Sequence, residues 1–174
     1  MIFENQQVPV SELPHVEEVS FHPLAPNALK ARLLSSGLIS GGFALLGMSI
    51  LPPVFSGLWW LGVLIVLAAT SLLLAGSRWL IKKRFEGEGY ALRSHDIIHR
   101  HGYFWRIQTT VPYARVQHVE IGQGPIAKRF GISTIRVFTA GGSNSDLNIS
   151  GIIPEEANRI KSYIIHKTEV DGEV

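Results

Sequence analysis

Between Arg32 and Arg78 the chain has no ionisable side chain: the 45 residues from Leu33 to Ser77 contain no Asp, Glu, Lys, Arg or His. No water-soluble fold of 174 residues can bury so long an uncharged run, whereas a bilayer core about 30 Å thick accepts about 20 apolar residues per helix. The overall hydrophobic fraction of 46% conceals this, because the charges are concentrated at the two ends. The run therefore reads as membrane-embedded.

Its length suits two crossings. Leu33 to Leu51 would make a helix of about 28 Å at the α-helical rise, and Pro52-Pro53 should stop it, since each ring removes a donor and fixes φ. The second span is expected at about 55–77, giving a helical hairpin within residues 30–84. Trp59 and Trp60 at one end of the second span and Trp79 at the other stand where indole rings favour the membrane interface. All 16 Lys and Arg lie outside Leu33 to Ser77, so both termini are expected on the cytoplasmic side. A secretory signal fits poorly, because residues 1–29 carry Glu4, Glu12, Glu17 and Glu18 and no Lys or Arg. These residues, broken by Pro9, Pro14, Pro23 and Pro26, read as a cytoplasmic arm.

The absence of cysteine excludes a disulfide framework, a thiolate nucleophile and a cysteine-ligated metal. A net charge of +2, without a basic stripe interleaved with aromatics, gives no reason to expect nucleic acid as a partner. No cofactor and no small-molecule substrate is indicated.

Beyond Arg84 the pattern becomes short alternating stretches between turn residues, the mark of a small β-rich domain over residues 85–168, followed by a tail at 169–174. Strands are expected at Tyr90–Arg93, Ile97–His101, Phe104–Val111, Val116–Ile121, Thr134–Ala140 and Leu147–Gly151. Trp105, Ile107, Thr109 and Val111 read as one face of the third, and Gly141–Ser145 as a hairpin loop before the sixth. Pro154 with Glu155 and Glu156 opens a helix whose apolar face is Ile153, Ala157, Ile160 and Ile164. The strands and this helix should close one core and fold as a soluble unit without the hairpin.

Gly89 to Ile153 resembles the bacterial pleckstrin-homology (PH)-like family of membrane proteins, in its YdbS-like branch. The resemblance is carried by Tyr90-Ala91-Leu92, Gly102, the run Val111 to Val119, the run Gly122 to Ile132, and Thr139 to Gly142, and it reaches upstream to His22-Pro23-Leu24. It implies a two-helix transmembrane anchor in the bacterial inner membrane and an α+β PH-like domain, a partly open β-barrel capped by a C-terminal helix. It implies no established enzymatic activity.

Several constellations invite a chemical reading. Ser94-His95-Asp96 has triad residue types, but neighbours in sequence point apart and cannot form the nucleophile–base–orienter chain. His95, His99 and His101 would share a strand face and meet a metal in pairs, with no neighbouring carboxylate evident; if Asp96 begins a turn, His95 leaves that face. Gly122-Gln123-Gly124-Pro125-Ile126-Ala127 imitates a dinucleotide fingerprint, yet strands surround it and no βαβ unit follows; a bend into one helical turn at Ala127–Phe130 fits better. Arg78, Lys82, Lys83 and Arg84 flank the second span and would touch anionic lipid headgroups, a patch that Arg93, Arg100, Arg106 and Arg115 would extend. Gly37 and Gly41 give a small-residue spacing at which another helix can approach closely.

The reading that results is a non-enzymatic, membrane-anchored interaction or assembly module, with the bilayer and a protein partner or second copy as its contacts. The alternatives are a small subunit of a transporter or envelope-stress complex, and a membrane-associated hydrolase with a metal on His99 and His101.

Overall fold

The computed structural model describes residues 19–54, 57–140 and 146–171; residues 1–18 of the arm and the loop residues 141–145 lie outside the described residues. Two long helices come first, α1 at Pro26–Val54 and α2 at Trp59–Glu86. The most apolar 18-residue stretch has a mean hydropathy of 1.6 within Pro26–Ile50 and 2.1 within Trp59–Glu86. The helices pack on each other through Ser36 Oγ and Ser77 Oγ, 2.8 Å apart, and through Gly47, where a Cβ would stand 3.2 Å from Val66. Their flanks are bare: Leu45 and Leu72 are each 75% exposed. Such a pair loses nothing in hydrocarbon and much in water, and both helices are long and apolar enough to cross a membrane.

The helices extend beyond the expected apolar spans. α1 begins at Pro26, ahead of Leu33, since a proline is preorganised for the first helical position. It continues through Pro52 and Pro53, whose fixed φ is close to helical, to Val54, and it ends there, because each proline lacks the N–H that would extend the ladder and its ring crowds the carbonyl four residues back. α2 continues past Ser77 through the basic residues to Glu86, where the Gly87 N–H caps the carbonyl of Arg84.

The polar part holds seven strands among the described residues, in two open antiparallel sheets. The first is ordered β1 (His22–Pro23), β2 (Gly89–Leu92), β3 (Asp96–His101), β4 (Ile107–Pro112). The second is ordered β5 (Val116–Gly122), β6 (Ser133–Thr139), β7 (Leu147–Ile152). A single 3-10 turn at Tyr113–Arg115 carries the chain from one sheet to the other. Strand β1 was not expected; it contains a proline and survives as an edge strand, pairing His22 with Tyr90 and Pro23 with Gly89. α3 is a short turn at Pro125–Arg129, and α4 runs Pro154–Asp171.

The core follows the alternation. Ile97 from the first sheet, Ile135, Val137, Leu147 and Ile149 from the second, and Ala157, Ile160 and Ile164 from α4 are buried together. Ile153 departs from the expected helix face: it precedes α4, is 46% exposed, and contributes its carbonyl to the Ala157 N–H. The third strand begins only at Ile107, and Trp105 is 82% exposed, so the apolar face expected from Trp105 onward starts late.

The domain also draws on residues before the hairpin. Leu24 is buried in the main core, and Ala28 and Ala31 of α1 form a second cluster with Ile132, packed by Phe85, Ile126 and Phe130. The first two turns of the apolar helix α1 are thus a domain element.

Candidate functional site at the root of the hairpin

Where α1 and α2 enter the domain, four polar side chains from distant parts of the sequence converge. Arg32, two turns into α1, forms a two-pronged ion pair with Glu88, which lies between α2 and β2; one prong is Nη2 to Oε1 at 3.0 Å. The same Nη2 donates to the carbonyl of Ser150 in β7 at 3.2 Å. A guanidinium matches a carboxylate in this forked geometry, and its spare N–H reaches a third element. Glu88 Oε1 also stands 3.6 Å from His99 Nε2, beyond hydrogen-bond reach but close enough for electrostatic attraction. His99 is 4% exposed, and its ring stacks on His101 with centroids 4.9 Å apart and planes at 25°.

Burial by itself would raise the pKa of Glu88; His99 and Arg32 more than reverse this and hold it down at about 2, against an ordinary 4.5. The pKa of His101 is lowered as well, here by burial and the neighbouring His99, which disfavour its charged form. The cluster at neutral pH is therefore an ionised carboxylate clamped by Arg32 beside a neutral His101.

These residues floor a cleft of about 640 Å³ between the two sheets, with Arg84 of α2 and the β3–β4 loop at its mouth. A second cavity of about 530 Å³ lies on the other side of Arg32 and Arg84, against α3. Arg32 is paired with Glu88, and Arg84, exposed, lines both cavities.

The histidine reading is corrected in part. β3 starts at Asp96, so His95 stands outside the strand and only His99 and His101 come together. A carboxylate does adjoin them: the β2–β3 register sets Gly89 opposite Arg100, which brings the preceding Glu88 alongside. Among the described residues, no group of three or more His, Asp and Glu side chains is placed to hold a metal. Ser94-His95-Asp96 does not assemble either, since Asp96 binds Arg93 Nε at 2.7 Å and His95 offers its carbonyl to the Tyr113 N–H. The glycine-rich Gly122 to Ala127 leads into α3, and Gln123 spans the bend by donating to Ile132 O and Ser133 Oγ. The helical turn starts at Pro125, not Ala127, because proline presets it.

Of the basic cluster, Arg78, Lys82 and Arg84 are exposed along α2, and Lys83 pairs with Glu86 at 2.9 Å. Arg93 is engaged by Asp96, and the Arg100 guanidinium lies 4.1 Å over the Phe21 ring. Gly37 and Gly41 have no atom within 4 Å of where a Cβ would stand, so neither packs inside the hairpin; Gly47 does. Sequence reasoning did not single out Arg32 and Glu88. The available signal was their position, the last cation before the uncharged run and an acid soon after it, at matching ends of two antiparallel helices.

A lipid-exposed helix pair whose root is clamped into a two-sheet domain closed by a C-terminal helix defines a transmembrane protein with a PH-like domain. The chain belongs to the bacterial PH domain family, whose model matches residues 41–168. It is 29% identical over 154 residues to the UPF0699 transmembrane protein YdbS of Bacillus subtilis (strain 168), a match covering 81% of this chain and 88% of that protein. No solved structure matches.

Proposed function

We propose that the protein is a non-enzymatic assembly module of the bacterial inner membrane, crossing it twice with both termini in the cytoplasm and offering its PH-like domain to a protein partner or a second copy. The observation that carries this reading is the Arg32 clamp, which binds α1 to Glu88 and to β7 at once. A flexibly tethered domain would sweep a volume beneath the membrane; one fastened at the root presents its cleft and sheet edges in a fixed orientation, which lowers the entropic cost of docking. The name of the Bacillus relative states a transmembrane protein, which agrees with the membrane placement. In the hydrolase alternative His99 and His101 would need a carboxylate free to bind a metal, whereas Glu88 is committed to Arg32.

The test is native mass spectrometry of the full chain in mild detergent, with crosslinking in intact membranes. A stable complex, weakened by Arg32→Ala, is the expected result. A strictly monomeric protein with no crosslinked neighbour would sink the proposal.

A further inference from the structure

The β3–β4 loop, Gly102–Arg106, exposes the largest aromatic surface of the polar domain. Phe104 is 66% exposed and Trp105 82%, and Ile107 at the start of β4 adds a further apolar side chain, 50% exposed. The rings lean on one another, Tyr103 against Phe104 at 5.0 Å and Phe104 against Trp105 at 6.4 Å. An aromatic projection of this kind in water is a liability unless something apolar receives it.

Its position says what receives it. Tyr103 meets Trp79 edge-to-face, with centroids 5.7 Å apart and planes at 85°. Trp79 belongs to α2, directly after Ser77 and Arg78, where the uncharged run ends. The loop is therefore pinned to the membrane helix at the depth where its composition passes from apolar to charged. Lys82 and Arg84 follow about one turn further along, at headgroup level. Trp and Tyr are the residues that settle in this layer, with the ring in the acyl boundary and the polar edge toward water. The backbone is built for the projection: Gly102 has φ +97°, and a Cβ there would lie 1.9 Å from the Trp105 carbonyl oxygen.

We propose that the β3–β4 loop is a membrane contact in its own right, with Phe104, Trp105 and Ile107 seated in the interfacial layer of the leaflet from which α2 emerges. The bilayer is its occupant because the surface continues, through Tyr103 and Trp79, the lipid-facing surface of α2. The domain then rests on the membrane at a third point beyond its two helices, and this contact, with the Arg32 clamp, fixes its tilt. The inference rests on the membrane span of α2 and is independent of any protein partner.

The experiment uses the full chain in nanodiscs. Replacing Trp59, Trp60 and Trp79 by Phe leaves Trp105 as the sole indole and keeps a ring against Tyr103. Lipids brominated high on their acyl chains should quench Trp105 strongly, aqueous acrylamide should quench it weakly, and its emission should be blue-shifted from that of water-exposed indole. Strong acrylamide quenching without bromine quenching would overturn the proposal, placing the loop in water. Protection from both quenchers would overturn it too, placing a protein surface over the loop. Because the triple replacement risks misfolding, a second measurement uses the absence of native cysteine. A nitroxide on Trp105→Cys should relax faster with dissolved oxygen than with a water-soluble nickel chelate, and the reverse order would defeat the inference.

Discussion

Gly151 in β7 lies so close to Ala28 in α1 that a Cβ on the glycine would stand 2.5 Å from the alanine methyl. The contact lies where α1 meets the second sheet, and the Ala25 N–H donates to the Gly151 carbonyl beside it at 2.9 Å. Gly151 also has φ +104°, a backbone conformation that side chains disfavour.

Gly151→Ala should therefore lower the thermal midpoint of the full chain in detergent, by a steric and a conformational cost that together reach about 2–4 kcal/mol. Gly131→Ala is the reference: it has φ +62° and open space around a Cβ, so only the conformational part, about 1 kcal/mol, applies. Equal losses in the two variants would show that the hairpin root is not tightly docked on β7.

Stability should fall on acidification. The folded state holds Glu88 at about 2 against an ordinary 4.5, so its contribution is complete above pH 4.5 and disappears as pH falls toward 2. The lowered pKa of His101 works in the same direction, since protons bind the unfolded chain more tightly and stabilisation is lost as pH falls below 6.5. Arg32 and Arg84 flank the cluster from the two helices. Glu88→Gln should cost about 2 kcal/mol near neutrality and flatten the decline below pH 4.5. Thermal melts between pH 3 and 8 provide the check, and an unchanged slope in the variant would remove Glu88 from the account.

A fragment of residues 85–171 lacks β1, Leu24, Ala28, Ala31 and Arg32, which the intact chain places in or against the domain. It should melt well below the same domain in the full chain, and a synthetic peptide of residues 19–33 should raise its midpoint. No effect of the peptide would mean that the two sheets and α4 close without the hairpin root.

Gly37→Leu and Gly41→Leu should weaken self-association or partner binding while leaving the hairpin intact, because both positions open away from α2. Gly47→Leu should do the opposite, forcing the helices apart at Val66. Crosslinking yield in membranes separates the two effects. If Gly37→Leu and Gly41→Leu leave association untouched, that helix face meets only lipid.

Reporter fusions after Val174 should be active in the cytoplasm, and insertions in the Pro52 to Gly57 connection should report from the other side, following the distribution of Lys and Arg. An extracytoplasmic C-terminus would refute the topology.

The membrane hairpin and most of the strands were legible in the sequence because both rest on local periodicity. An uncharged run has one comfortable solvent, and Ile135 and Val137 alternating with Arg136 can bury one face only in an extended strand. The same local logic placed α4 at Pro154 and brought His99 together with His101. It failed where partners are far apart along the chain. Nothing near Arg32 announces Glu88, 56 residues away, or Ser150, 118 residues away, and nothing in His22-Pro23 announces a strand until Tyr90 offers an edge. Trp105 alternates correctly with Ile107, yet the strand begins only at Ile107 and the Trp105 ring stands outside the sheet, 82% exposed. Periodicity determines which side of an element is apolar; only the tertiary packing of sheets onto the hairpin root decides what that side meets, because that is fixed by contacts whose cost and gain appear only when distant segments close on each other.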